Sequence, residues 1–217
     1  MSDFTAQRLN MVETQIRPND VTDSQVVAAM RAVPREKFVP AAKRGVAYAD
    51  APIEIAPARY LLDPRTFAKL LQLAAIGPDD VVLDVGCATG YSTAVIARLA
   101  RQVIGLEQDA ALVRIASDVL PAVDAKNAVI VQGVLAEGFA EKAPYDAIVI
   151  NGAVETVSDR LLAQLAEGGR LVTVVQNGGP GRAVLYLRER GRIGHRVGFD
   201  ASVPLLAGFR ETVGFVF

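Results

Sequence analysis

The stretch Val81-Val82-Leu83-Asp84-Val85-Gly86-Cys87-Ala88-Thr89-Gly90-Tyr91 decides how the rest of the chain is read. Five residues of strand character run into a turn with two glycines four apart, and a helical pattern opens at Ser92. Strand, glycine loop and helix in that order make a nucleoside-binding unit, because the glycines permit positive φ and let a ligand come close to the backbone. Further on, a second apolar run closes on Leu106-Glu107, 23 residues past Asp84, where an α/β nucleoside site places a carboxylate on the ribose hydroxyls. The loop is Gly-x-x-x-Gly and lacks the middle glycine that makes room for a pyrophosphate; no Lys or Arg stands between Val81 and Ile96 to meet a phosphate. The spacing therefore predicts ribose without phosphate. S-adenosylmethionine has that character: its ammonium suits Asp84, and its carboxylate suits the N–H groups of the loop. The competing interpretation is an ordinary strand-to-helix turn in which Asp84 is a local cap.

Composition narrows the field around this loop. At 217 residues with 51% hydrophobic content, the chain suits one domain with an appendage and has ample material for a core. Basic and acidic residues nearly cancel, 23 against 24, so nothing global points to nucleic acid or an anionic membrane. One cysteine excludes an internal disulfide, and with one histidine it argues against a protein-only zinc site, so no metal is expected. The first residues lack a basic stretch leading into an apolar run, and no apolar run reaches the roughly 18 residues of a membrane span. A reduced, cytoplasmic protein is expected.

Working outward, residues 4–16 have loosely helical spacing broken by Arg17-Pro18-Asn19-Asp20, and a second helix capped by Asp23 or Thr22 ends at Pro34. The run from Arg35 to Pro64 holds prolines at 40, 52, 57 and 64 and no period, which predicts a wrapped, irregular segment. Arg65 to Ala75 reads as a helix with Phe67, Leu70, Leu71 and Ala74 inward. From Val81 onward strands alternate with helices. The strands are Val81 to Val85, Gln102 to Leu106, Ala128 to Gln132, Ala147 to Ile150 and Leu171 to Val175. The helices are near Ser92 to Leu99, Ala110 to Leu120 and Ser158 to Ala166, with Gly168-Gly169 as a stop. This order predicts an α/β fold: a doubly wound, mostly parallel sheet with its ligand crevice at the carboxyl ends of the strands. A hairpin, Ala183 to Glu189 and Ile193 to Phe199, and a last strand over Glu211 to Phe217 are expected to add antiparallel members. Residues 1–76 would be an N-terminal helical appendage with the acceptor side, and 77–217 the core, together one compact unit.

Motifs outside the loop carry a family likeness. Met11-Val12-x-x-Gln15-Ile16, Asp23, Ala29-Met30, Val33-Pro34-Arg35-Glu36, Phe38-Val39-Pro40 and Ala47-Tyr48-x-Asp50-x-Pro52 match at their spacings, as do Val81 to Tyr91, Pro144-Tyr145-Asp146-Ala147-Ile148, Leu161-Leu162-x-Gln164-Leu165, Gly168-Gly169-Arg170-Leu171-Val172 and Val203-Pro204-Leu205. Over nearly its whole length the chain resembles protein-L-isoaspartate O-methyltransferase, a class I S-adenosylmethionine-dependent methyltransferase. The resemblance implies a Rossmann-like methyltransferase fold, repair of proteins or peptides by carboxyl methylation, and a cofactor site made of Asp84, Gly86, Cys87, Ala88, Gly90, Glu107, Gln108, Gly133, Val134, Leu135 and Asn151. Two departures stand out. Where the family carries Gly-x-Thr-Ile-Ser-x-Pro, this chain has Ala58-Arg59-Tyr60-Leu61-Leu62-Asp63-Pro64, and the hydroxyls that face the acceptor are gone. Where the family carries Gly-Asp-Gly after the third strand, this chain has Gly133-Val134-Leu135, without the carboxylate that meets the adenine amine; Gln132, Glu137 or a backbone carbonyl are the available substitutes.

A sulfonium methyl passes to an already ionised carboxylate by in-line displacement, so no general base is required at pH 7. Orientation supplies on the order of 7 kcal/mol or more of such a barrier, against roughly 1–3 kcal/mol for one lost adenine hydrogen bond. The departures therefore bear on the acceptor more than on the donor, and Arg59, Tyr60 and Leu62 become the acceptor-side candidates. Two rivals stay open: the same cofactor with a different acceptor, including a small molecule, and a non-catalytic binding protein. Cys87 reads as a small loop residue, since nothing basic lies near it in sequence. His195 and Arg190, Arg192 and Arg196 read as a solvated hairpin, Arg59 is balanced between a ligand for a substrate carboxylate and a surface residue, and Asn151 leans toward a turn residue.

Overall fold

The computed structural model describes residues 3–209. Helix α1 (Phe4–Met11) starts where the Asp3 carboxylate accepts from the Ala6 N–H at 3.0 Å, and it continues through a π-helical turn, Val12–Ile16. Asp23 caps α2 (Ser24–Ala32), accepting from Gln25 and Val26, and the helix stops where Val33 turns extended ahead of Pro34. The segment expected to be irregular contains a small antiparallel hairpin, β1 (Ile53–Ala56) and β2 (Arg59–Leu61), turning at Pro57-Ala58. Ala58 takes a left-handed φ of 56°, a conformation that costs a non-glycine residue roughly 1–2 kcal/mol. Next, α3 (Pro64–Ala74) has proline at its first position and an Asp63 cap, and buries Phe67, Leu70, Leu71 and Ala74.

The main sheet has seven strands in the order β5-β4-β3-β6-β7-β8-β9. Strands β3 (Val81–Val85), β4 (Gln102–Glu107), β5 (Ala128–Gln132), β6 (Tyr145–Val154) and β7 (Leu165–Val175) run parallel; β8 (Arg182–Glu189) and β9 (Arg192–Asp200) are antiparallel. Helices α4 (Tyr91–Ile96), α5 (Ala110–Val119) and α6 (Asp159–Ala163) connect the parallel members. Val82, Leu83, Val85, Ala147, Ile148 and Val149 are fully buried, so both faces of the central strands are covered. One face packs on α1, α2 and α3 through Met11, Met30, Phe67 and Leu71, and the other gathers Leu83, Ile148, Leu161 and Leu171.

Strands β6 and β7 are longer than expected. Gly168-Gly169 does not stop a helix: α6 ends at Ala163, and the glycines bend β7 where it passes Tyr145. A Cβ on Gly169 would lie 2.8–2.9 Å from backbone atoms of Ala166 and Tyr145, so only glycine fits that approach. The predicted last strand, Glu211 to Phe217, lies outside the described residues. Residues Val203 to Phe209 return instead along β6: Ala153 donates to the Pro204 carbonyl at 2.9 Å, and Leu206 donates to the Ala153 carbonyl at 2.8 Å. Among the described residues no helix is long and apolar enough to cross a membrane, and no group of three or more His, Cys, Asp or Glu could hold a metal.

Candidate cofactor site

The expected crevice forms at the carboxyl edge of β3, β4 and β6, where the register sets Asp84 beside Gly105 and Val149. Gly86 and Gly90 both take positive φ, 73° and 91°, as does Ala88 at 55°. The Pro34-Arg35-Glu36-x-Phe38 motif lies under this loop. Thr89 donates to the Phe38 carbonyl at 2.6 Å, Phe38 meets Tyr91 edge to face at 5.5 Å between centroids, and the Arg35 guanidinium lies 4.7 Å from the Tyr91 ring centre. Cys87 is buried, and burial pushes its thiol well above the ordinary range, which removes nucleophilic character at neutral pH.

Asp84 is fully buried and accepts from Ser92 Oγ at 2.8 Å, from Thr93 Oγ1 at 2.5 Å and from Asn151 Nδ2. Ser92 and Thr93 were not among the expected site residues, although a Ser-Thr pair in the first turn after the loop already faces the strand end. Asn151 is not a turn residue: it lies inside β6 and orients Asp84. Burial raises the Asp84 pKa to about 6 against the pull of the three donors, with the nearby Glu107 charge adding to the rise. An unfolded aspartate ionises near pH 4, so between about pH 4 and 6 the folded state binds the extra proton and loses stability as pH rises. Relative to an Asp84→Asn variant, wild-type unfolding free energy from urea titrations is expected to fall by about 2 kcal/mol between pH 4 and pH 7. A difference that stays flat with pH would show that Asp84 titrates normally.

Glu107 ends β4 with no exposed surface. Its Oε1 accepts from the N–H groups of Gln108 at 2.9 Å and Asp109 at 3.1 Å; its Oε2 accepts from the Ala88 N–H at 2.9 Å and from the Arg59 guanidinium. Arg59 is thus not a surface residue; the hairpin carries it into the crevice, where it is 6% exposed and bonded to Glu107. Its Nε and Nη1 are buried without a partner. Leu206 closes the crevice from the other side, and a Cβ on Gly86 would sit 3.0 Å from its side chain. What remains between Arg35, Tyr60, Leu62, Phe67 and the loop is a cavity of about 10 Å³, room for one water. Asp84, Glu107, the glycine loop and Asn151 are therefore brought together at one sheet edge, with Arg59 bonded to Glu107 among them.

On the adenine side, Gly133 donates to the Glu107 carbonyl at 3.0 Å, Val134 is exposed and Leu135 is buried. Of the two side chains offered in place of the missing carboxylate, Gln132 donates through Nε2 to the Gln108 carbonyl at 3.3 Å, which leaves its Oε1 as an acceptor, whereas Glu137 pairs with Arg160 at 2.5 Å. On the acceptor side, Tyr60 is half-buried and Leu62 is buried in the core. His195 is exposed on β9, against the Tyr186 ring.

The comparisons with known proteins agree on what this framework is. The chain is 40% identical over 209 residues to a protein-L-isoaspartate O-methyltransferase of Methylorubrum extorquens, covering 95% of this chain and 91% of that one. It is 37% identical to one from Koribacter versatilis, covering 89% and 87%. A solved protein-L-isoaspartate O-methyltransferase shares the fold with a TM-score of 0.81 at 21% identity, covering 93% of this chain and 67% of that one. A Plasmodium falciparum structure assigned to the same class, solved with S-adenosyl-L-homocysteine, does so with a TM-score of 0.79 at 21% identity, covering 96% and 100%. The family model described as protein-L-isoaspartate(D-aspartate) O-methyltransferase matches residues 6–198, and to that family the chain belongs.

Proposed function

We propose that the chain binds S-adenosylmethionine and methylates isoaspartyl carboxylates of proteins or peptides. The observation that carries the reading is the pairing of two buried carboxylates, Asp84 and Glu107, at the ends of adjacent strands around a glycine loop of positive φ. Relatives named for this activity over nearly the full chain support it. The cofactor, when bound, supplies an electrophilic methyl on sulfur, and the acceptor carboxylate arrives ionised. No side chain is needed as a base, so the protein's part is positioning and exclusion of water, to which the apolar wall of Leu61, Leu62 and Phe67 contributes. The cofactor ammonium has an acceptor available at Asp84: Oδ1 takes one donor, from Asn151, and Oδ2 takes two.

Incubation with methyl-labelled S-adenosylmethionine and an isoaspartyl peptide is expected to leave base-labile label on the peptide, and none on the same peptide with ordinary aspartate. A protein that binds the cofactor but leaves both peptides unlabelled acts on another acceptor. One observation favours a second reading, a non-catalytic member of the family: Glu107 is saturated by the chain's own donors. Calorimetric titration separates the two, since heat on adding S-adenosylmethionine at up to millimolar concentration is incompatible with a site that never opens.

A further inference from the structure

The acceptor capacity of Glu107 is fully used. A carboxylate offers about four lone-pair positions, and here three are taken by backbone N–H groups that the loop and the start of α5 hold in place. The fourth is taken by a side chain, Arg59, and only this one can be vacated without unfolding the loop. Arg59 is also a poor fit for its position. Of its five donors only Nη2 is bonded, while Nε and Nη1 are buried with nothing to accept from them. It is delivered by the first residue of a three-residue strand in a two-stranded sheet separate from the main one, next to a left-handed alanine. The guanidinium lies over the glycine loop, with Nη2 3.6 Å from where a Gly86 Cβ would be.

We propose that Arg59 is a built-in competitor of the cofactor: it occupies the position on Glu107 that a ribose hydroxyl takes, so that binding proceeds by exchange of Arg59 for the nucleoside and the hairpin β1–β2 moves with it. Arg59 thereby sets the cofactor affinity. The inference rests on the reading that the nucleoside is S-adenosylmethionine. It accounts together for the saturated carboxylate and the unpartnered guanidinium donors.

Calorimetric titration of S-adenosylmethionine into wild type, Arg59→Ala and Arg59→Met is the test. The methionine variant keeps an apolar stem in the hairpin and serves where alanine does not fold. Removal of the competitor is expected to tighten binding at least tenfold. Methylguanidinium added at millimolar concentration is expected to weaken cofactor binding to Arg59→Ala by refilling the vacated position, and to leave wild type unaffected; a structural defect alone would not produce that competition. Binding to the folded variants that is equal to or weaker than wild type overturns the exchange while the proposed function stands. No binding to wild type or to either folded variant overturns the cofactor reading itself, and the exchange with it.

Discussion

Replacement of Glu107 by alanine is expected to destabilise the folded chain by roughly 3–5 kcal/mol, because it leaves the Arg59 guanidinium buried without a counter-charge. Three backbone donors, at Ala88, Gln108 and Asp109, lose their acceptor in the same step. Urea denaturation gives the value, and a loss below about 1 kcal/mol would contradict the buried pairing. The double variant Arg59→Ala/Glu107→Ala is expected to be more stable than Glu107→Ala alone, since most of the single variant's cost is the stranded charge. A double variant weaker than Glu107→Ala would place the cost in lost packing instead.

The second large effect is expected at Arg35. This side chain is fully buried; its Nε donates to the Ala47 carbonyl at 2.8 Å and its Nη2 to the Leu62 carbonyl at 2.6 Å, while its Cζ lies 4.7 Å from the Tyr91 ring centre. It therefore ties three stretches of chain, around residues 47, 62 and 91, to one point under the loop. Burial lowers its pKa and Tyr91 partly offsets this, yet the group keeps its charge because an arginine starts so high. Arg35→Ala opens a cavity and strands two buried carbonyls, which costs on the order of 4 kcal/mol and lowers Tm by about 10 °C. Arg35→Lys is not expected to rescue it, because a single ammonium cannot reach both carbonyls and the Tyr91 ring at once. A lysine variant melting within a few degrees of wild type would rule out that bridging role.

How far the sequence foretold these contacts depends on how local they are. Val81 to Glu107 was legible because strand, glycine turn and helix each have a short period, and the carboxylate follows at a fixed distance along the chain. The motif at Pro34 to Phe38 could be recognised but not understood, since its meaning is a contact with Tyr91, more than 50 residues away. The hairpin at 53–61 was missed for a definite reason. Its strands have four and three residues, too short to show alternation, and its turn uses an alanine with positive φ where glycine or asparagine would have announced it. With the hairpin unseen, Arg59 could be weighed only against solvent or substrate, never against Glu107, 48 residues on. Asn151 was misplaced because β6 runs past the apolar stretch that marked its end. The loss of the hydroxyl-bearing signature was legible; that an arginine two residues into its replacement fills the crevice was not.

The stretch Val203 to Phe209 gives the crevice an unusual history within each folding event. Leu206 sits where side chains at Gly86 and at Gly152 would collide with it, the built Cβ atoms lying 3.0 and 2.8 Å from its carbons. A glycine read at the outset as room for a ligand thus also makes a notch for a leucine 120 residues further along the chain. Contacts of such long sequence separation carry the largest loop-closure cost and tend to form late. The two covers of the loop therefore differ in when they can close: Arg59 is available as soon as the loop is made, whereas Leu206 arrives only 120 residues later.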